Sequence, residues 1–160
     1  MADLIDPWAS FSLDYDKLVN QFGIAKVSDI LSEIENPQRL MKRGVIFGHR
    51  EFNEINKLIA QNKDFAVVTG MMPSGQMHIG HKMIVDQLKW YQEKGAMLSL
   101  PIADLESYAA RGMSFEKGRE IAVNEYLTNW IALGLDLEKD NVNVYLQSQN
   151  KALQDLAFKA

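Results

Sequence analysis

Apolar positions recur at helical spacing through the first sixty residues and then in unbroken runs, the change falling near Asp64. In DYDKLVNQFG, Tyr15, Leu18, Val19 and Phe22 share one helical face, and Gly23 suits the position just past the helix end. Ile30, Leu31 and Ile34 form a second short stripe. Asn36 is placed to cap a further turn, with Pro37 at its first position and Gly44 at its end. VIFG, residues 45–48, reads as a short strand. Phe52, Ile55, Leu58 and Ile59 then make the apolar stripe of another helix.

Beyond Asp64, FAVVT is a continuous β-branched run, which predicts a strand buried on both faces. A glycine-rich loop follows. Ile84, Val85, Leu88 and Tyr91 then fall on one helical face, with Gly95 past the end. AMLSLPIA reads as a second buried strand. Ser114 is placed to cap a long helix whose core stripe is Ile121, Ala122, Tyr126, Leu127, Trp130 and Ile131, ended by Gly134. VNVYL reads as a third strand. The order is β-α-β-α-β, and right-handed crossovers make that the first half of a doubly wound parallel sheet. The expectation is an α/β chain: a mainly helical N-terminal segment, 1–62, and the half-sheet, 63–160.

Composition narrows the class. The chain has 160 residues, 47% of them apolar, enough for one ordinary globular core. No apolar run approaches the roughly 20 residues of a membrane span, and MADLIDPWAS lacks the basic and apolar parts of a secretory leader. Cysteine is absent, which excludes disulfides and thiolate metal sites. The net charge of −4 leaves nucleic-acid contact to a local patch or to chain outside these residues. Arg39, Lys42, Arg43, His49 and Arg50 form the dense basic stretch, which is open to two readings: phosphate contact, or a solvated face paired with Glu51 and Glu54.

The candidate chemistry lies in TGMMPSGQMHIGHKM, residues 69–83, between the first strand and its helix. Ligands bind such sheets beyond the carboxyl ends of the strands. Gly70 and Gly75 have Walker A spacing, but Gln76 stands where lysine is required, and no G-x-G-x-x-G occurs. General phosphate-binding physics still applies: Gly75 and Gly80 permit close backbone approach, and the helix start offers free N–H groups. His78 and His81, three apart, share a face. They can cap the helix, or act as donors to charge developing on a phosphate. A metal site is disfavoured, since His49 is the one further histidine. After the second strand, Asp104 and Glu106 offer two carboxylates, able to hold Mg²⁺, to act as acid and base, or simply to be solvated. Met71, Met72, Met77, Met83 and Met97 read as core filling ahead of a lining for an aromatic ligand.

PSGQMHIGH resembles the His-Ile-Gly-His signature of class I aminoacyl-tRNA synthetases. Together with DPW, DYDKLVNQFG, RGVIFGHREFNEI, IADLESYAARGMSFEKG and NEYLTNWIALGLD, it resembles the tryptophanyl-tRNA synthetases of the archaeal and eukaryotic type over nearly the whole chain. The resemblance implies a Rossmann-like catalytic domain that activates tryptophan with ATP and passes it to tRNA(Trp). It implies His78 and His81 on the triphosphate, Gly80 close to the adenosine, and Gly70, Pro73, Ser74 and Gly75 shaping the ATP loop. Glu106 would accept the indole N–H, with Val68 and Gly70 beside the amino acid; the eukaryotic members carry tyrosine where Val68 stands. It also implies Mg²⁺ accompanying ATP, a homodimeric intact enzyme, no membrane association and a cytoplasmic location. The family's second, Lys-Met-Ser-Lys-Ser-like signature does not occur. The chain is therefore expected to be the N-terminal portion of a longer enzyme, weakly active or inactive alone and self-associating through its open sheet edge. The rival readings are a tyrosyl-tRNA synthetase, for which the pocket would need a tyrosine–aspartate pair, and a non-catalytic nucleotide-binding module of synthetase descent.

Overall fold

The computed structural model describes Val19, residues 21–157 and Lys159. The chain divides into two compact units, Met1–Lys63 and Asp64–Ala160. In the first, residues 19, 21 and 22 are helical and Gly23 follows with φ +60°; Tyr15 and Leu18 of the predicted stripe, and the DPW segment, lie outside the described residues. Strand β1 (Ala25–Lys26) pairs antiparallel with β2 (Gly48–His49). The strand expected at VIFG is thus displaced toward its end. The amides of Val45 and Ile46 both bond to the Leu40 carbonyl, closing the preceding turn instead of joining a ladder.

Helix α1 (Val27–Ile30) tightens into a 3₁₀ turn, Leu31–Glu33, and Ile34 is buried behind it. Helix α2 (Arg39–Lys42) is capped by the Gln38 side chain, which accepts from the Leu40 amide. Asn36 is not the cap. It takes a left-handed φ of +49° and turns the chain two residues earlier. Helix α3 (Phe52–Ala60) buries Phe52 and Asn56, the latter donating to the Glu33 carbonyl at 3.0 Å. His49 accepts from the Phe52 amide at 3.2 Å, and Arg50 donates to the Phe22 carbonyl at 2.7 Å. Two members of the basic stretch are therefore engaged in holding this unit together, and Glu54 pairs with Lys57 rather than with that stretch.

The second unit is a parallel three-stranded sheet in the order β3 (Ala66–Val68), β4 (Met97–Ile102), β5 (Val142–Leu146). Helix α4 (Ile79–Glu93) crosses from β3 to β4. Between β4 and β5 run α5 (Asp104–Arg111) and α6, a continuous helix made of Phe115–Ile121, a π-helical stretch Ala122–Leu127, and Thr128–Ala132. A 3₁₀ turn, Gln147–Gln149, and α7 (Lys151–Ala157) follow β5. The core lies around the central strand: Leu98, Leu100 and Ile102 are buried, with Val85 and Leu88 from α4 and Ala122, Tyr126 and Trp130 from α6. Gln92 clamps the turn after α6, donating to the Asp136 carbonyl at 2.6 Å and accepting from its amide at 3.0 Å.

Two expectations change here. The first strand is an edge strand and is not buried on both faces: Val68 is 69% exposed. Ile131, assigned to the core stripe, is 60% exposed. The π-helical stretch explains this. An i→i+5 turn is wider than an α turn, so residues four apart stay in line where a regular helix would drift. Gly118, Ala122, Tyr126 and Trp130 make the buried line, and Ile131 turns outward. Of the methionines, Met71 is in the core and Met97 is 58% exposed.

Candidate active site

Three carbonyls shape the loop after β3. Ladder pairing with β4 outlasts the strand: the Thr69 amide bonds to the Ser99 carbonyl, and the Met71 amide to the Pro101 carbonyl. The Met71 carbonyl then accepts from the Ala103 amide at 3.0 Å. The next two carbonyls are taken by side chains of two different helices. Tyr126 of α6 donates to Met72 at 3.1 Å, and Ser107 of α5 donates to Pro73 at 2.7 Å. Pro73 is thereby buried, while Ser74 is exposed. Gly70 passes over β4 so closely that a Cβ would sit 3.3 Å from the Pro101 carbonyl oxygen. Gly75 takes φ +156°, a conformation that side chains resist.

The loop delivers the chain to the start of α4, where the two histidines cap reciprocally. His78 is the N-cap, and its Nδ1 accepts from the Gly80 amide at 3.2 Å. The Nδ1 of His81 accepts from the His78 amide at 3.2 Å. The rings lie 4.0 Å apart, and Tyr126 meets His81 edge to face at 5.4 Å. A neutral imidazole that accepts at Nδ1 carries its proton on Nε2. Both rings therefore present an Nε2–H donor beside a helix N-terminus. Burial, and secondarily the neighbouring His78, lower the pKa of His81, which keeps it neutral near pH 7. A Cβ on Gly80 would lie 3.1 Å from the His78 ring, so the glycine leaves the imidazole room that a side chain would crowd. Lys82 is held by Asp86 at 2.5 Å.

The carboxylates do not form a pair. Asp104 is buried, and its two oxygens accept from the amide and the hydroxyl of Ser148. Glu106 is exposed in the first turn of α5, with no partner among the described residues. The two sit on a helix, not at a strand end, and residues two apart on a helix do not converge. Among the described residues, no cluster of three metal-ligating side chains exists, and no helix is long and apolar enough to cross a membrane. A cleft of about 340 Å³ opens between the loop and α6, with Gly75, Gln76, Lys117, Asn124 and Glu125 among its walls. A larger, more apolar hollow of about 650 Å³ lies at the carboxyl ends of β4 and β5, against Ala122 and Leu127 of α6. Ser107 and the Tyr126 hydroxyl are the site-shaping groups that sequence patterning missed. The available signal was a phenol inside an apolar stripe, since a buried tyrosine hydroxyl needs a partner.

Residues 60–158 match the model of the family "tRNA synthetases class I (W and Y)". The chain belongs to this family. It is 51% identical over 155 residues to the tryptophan–tRNA ligase of Methanocaldococcus jannaschii, covering 96% of this chain and 41% of that protein. It is 44% identical to that of Methanosarcina acetivorans, covering 97% of this chain and 35% of the relative. The chain thus spans about two-fifths of the length of the curated relatives it matches. The crystal structure of tryptophanyl-tRNA synthetase from Aeropyrum pernix K1 superposes with a TM-score of 0.80 at 40% identity, covering 98% of this chain and 45% of that one. A tryptophanyl-tRNA synthetase from Encephalitozoon cuniculi, solved bound to tryptophan, gives 0.76 at 28% identity, covering 91% and 45%. The half-sheet is accordingly the class I synthetase fold.

The lowered pKa of His81 carries a sign. The unfolded chain binds this proton more readily than the folded one, so stability is present above the free imidazole value of 6.5 and is lost as pH falls below it toward the folded pKa. NMR titration should place the His81 midpoint below 6.5, and the loss of stability between pH 7.5 and 5.5 should be smaller in His81→Gln. A midpoint above 6.5 would contradict the assignment of a partly desolvated, neutral ring.

Proposed function

We propose that the chain is the amino-terminal part of a tryptophan–tRNA ligase, in which tryptophan is activated by ATP to tryptophanyl-adenylate and then passed to tRNA(Trp). The observation that carries this reading is the orientation of the paired histidines. Each ring turns Nδ1 to the helix and leaves Nε2 without a hydrogen-bond partner among the described residues, at the place where a helix N-terminus already favours an anion. In the first step, the tryptophan carboxylate attacks the α-phosphate and pyrophosphate leaves. Negative charge grows on the phosphoryl oxygens as it does so. His78 and His81 donate to that charge, while the loop 70–75 shapes the nucleotide's entry and Gly80 permits its approach. No enzyme nucleophile is required; rate comes from positioning and charge stabilisation.

Glu106 selects the amino acid. Indole offers a single N–H donor and a carboxylate only accepts, and Glu106 is free to do so while Asp104 is committed to Ser148. A carboxylate that can only accept favours the indole of tryptophan over the phenol of tyrosine, with Val68 and Gly70 flanking the amino acid. The residues present do not fit a protein-held Mg²⁺: both oxygens of Asp104 are occupied and Glu106 stands alone. Mg²⁺ enters as Mg–ATP, the substrate. The intact enzyme is proposed to be a cytoplasmic homodimer.

Tryptophan-dependent pyrophosphate exchange in the full-length protein tests this. Removing one preorganised donor costs roughly 10²–10³ in rate. His78→Ser keeps a good N-cap acceptor, but its short hydroxyl cannot both cap the helix and reach where Nε2–H stands, so the rate should fall by that factor while the wild-type melting temperature is retained. A His78→Ser enzyme of ordinary rate would return the pair to capping alone. Glu106→Ala should weaken tryptophan binding by about 1–3 kcal/mol and lose discrimination against analogues lacking the indole N–H. Unchanged discrimination would remove Glu106 from the specificity role.

A further inference from the structure

The carbonyls of Met71, Met72 and Pro73 are all engaged by donors of the chain itself, from the β4–α5 junction, α6 and α5 respectively. A free carbonyl oxygen carries partial negative charge and repels phosphate. Engaging all three on the protein side offsets part of that charge along this run. Two of the three donors are side-chain hydroxyls from separate helices, so the loop is fixed by tertiary contacts and not by its own sequence. The Tyr126 side chain is fully buried and reaches two parts of the site: its hydroxyl holds Met72, and its ring meets the His81 imidazole edge to face. It sits inside the π-helical stretch Ala122–Leu127, the irregularity that keeps the Ala122–Tyr126–Trp130 line facing inward. Such π stretches occur frequently at functional sites.

We propose that Tyr126 is a positioning residue for adenylate formation, locking the loop through Met72 and holding the His81 ring so that Nδ1 stays committed to the His78 amide. Tyr126 touches neither reactant. It acts through His81 and the loop, and Ser107 supports it from α5. The proposal rests on the tryptophan-activating reading above and assigns a residue outside the signature loop to the rate of that step.

The test uses the full-length protein carrying Tyr126→Phe or Tyr126→Leu, with pyrophosphate exchange, thermal unfolding and ¹⁵N spectra of the imidazoles measured side by side. Tyr126→Phe removes the donor to the part-buried Met72 carbonyl but keeps the ring. It should lower kcat by about tenfold, the scale of one such hydrogen bond, with KM for tryptophan unchanged. Tyr126→Leu removes the ring as well and should lower kcat further while shifting the His81 nitrogen resonances, which Tyr126→Phe leaves in place. Unchanged kcat in Tyr126→Phe, a loss shared equally by KM for tryptophan, or a variant that loses activity only by unfolding would each overturn the proposal. Wild-type protein without tryptophan-dependent exchange would instead overturn the functional reading itself, so the two failures are separable.

Discussion

The first amides of a helix find no acceptor within it, and at α4 two imidazoles meet that need. Much of the site follows from this arrangement. Because Nδ1 of His78 takes the Gly80 amide and Nδ1 of His81 takes the His78 amide, both rings are fixed in rotation and in tautomer. Because His81 is partly withdrawn from water and the His78 ring lies 4.0 Å away, a proton on His81 is disfavoured. Because the His78 ring lies over residue 80, a Cβ there would press against it at 3.1 Å. Capping and the proposed catalysis would thus be two uses of one geometry: the nitrogens that satisfy the helix leave their opposite numbers aimed away from it.

The loop that precedes the histidines is held by the same economy. It carries no lysine to bind phosphate and no repeated glycine fingerprint. Its shape comes from ladder bonds continued past β3 and from hydroxyls of α5 and α6. Glu106 neighbours the Ser107 that ties α5 to Pro73, so the residue proposed to read the amino acid stands on an element anchored to the loop before the histidines.

Periodicity made the half-sheet legible, because β-branched runs bounded by glycines leave few alternatives to buried parallel strands. Spacing likewise located the loop and both histidines. What it missed depended on partners distant in sequence. Val68 reads as buried, but strand order puts it on an edge. Ile131 reads as core, but a π-helical stretch rephases the helix. Val45 and Ile46 read as strand, but their amides close a turn on Leu40. Asp104 and Glu106 look equivalent in sequence, yet Ser148, forty-four positions along, claims one and leaves the other free. Tyr126 looks like filler because the pattern records its ring and not its hydroxyl.

The central claim is that the helix occupies Nδ1 of both histidines and the nucleotide meets Nε2–H. Imidazole ¹⁵N spectra of the full-length protein, recorded before and after adding tryptophan with a non-hydrolysable ATP analogue, address it most directly. The account predicts that the Nε2 resonances of His78 and His81 move on binding while both Nδ1 resonances keep the shifts of unprotonated acceptors. A tautomer switch to Nδ1–H, or Nε2 resonances that stay still with the nucleotide bound, would contradict it.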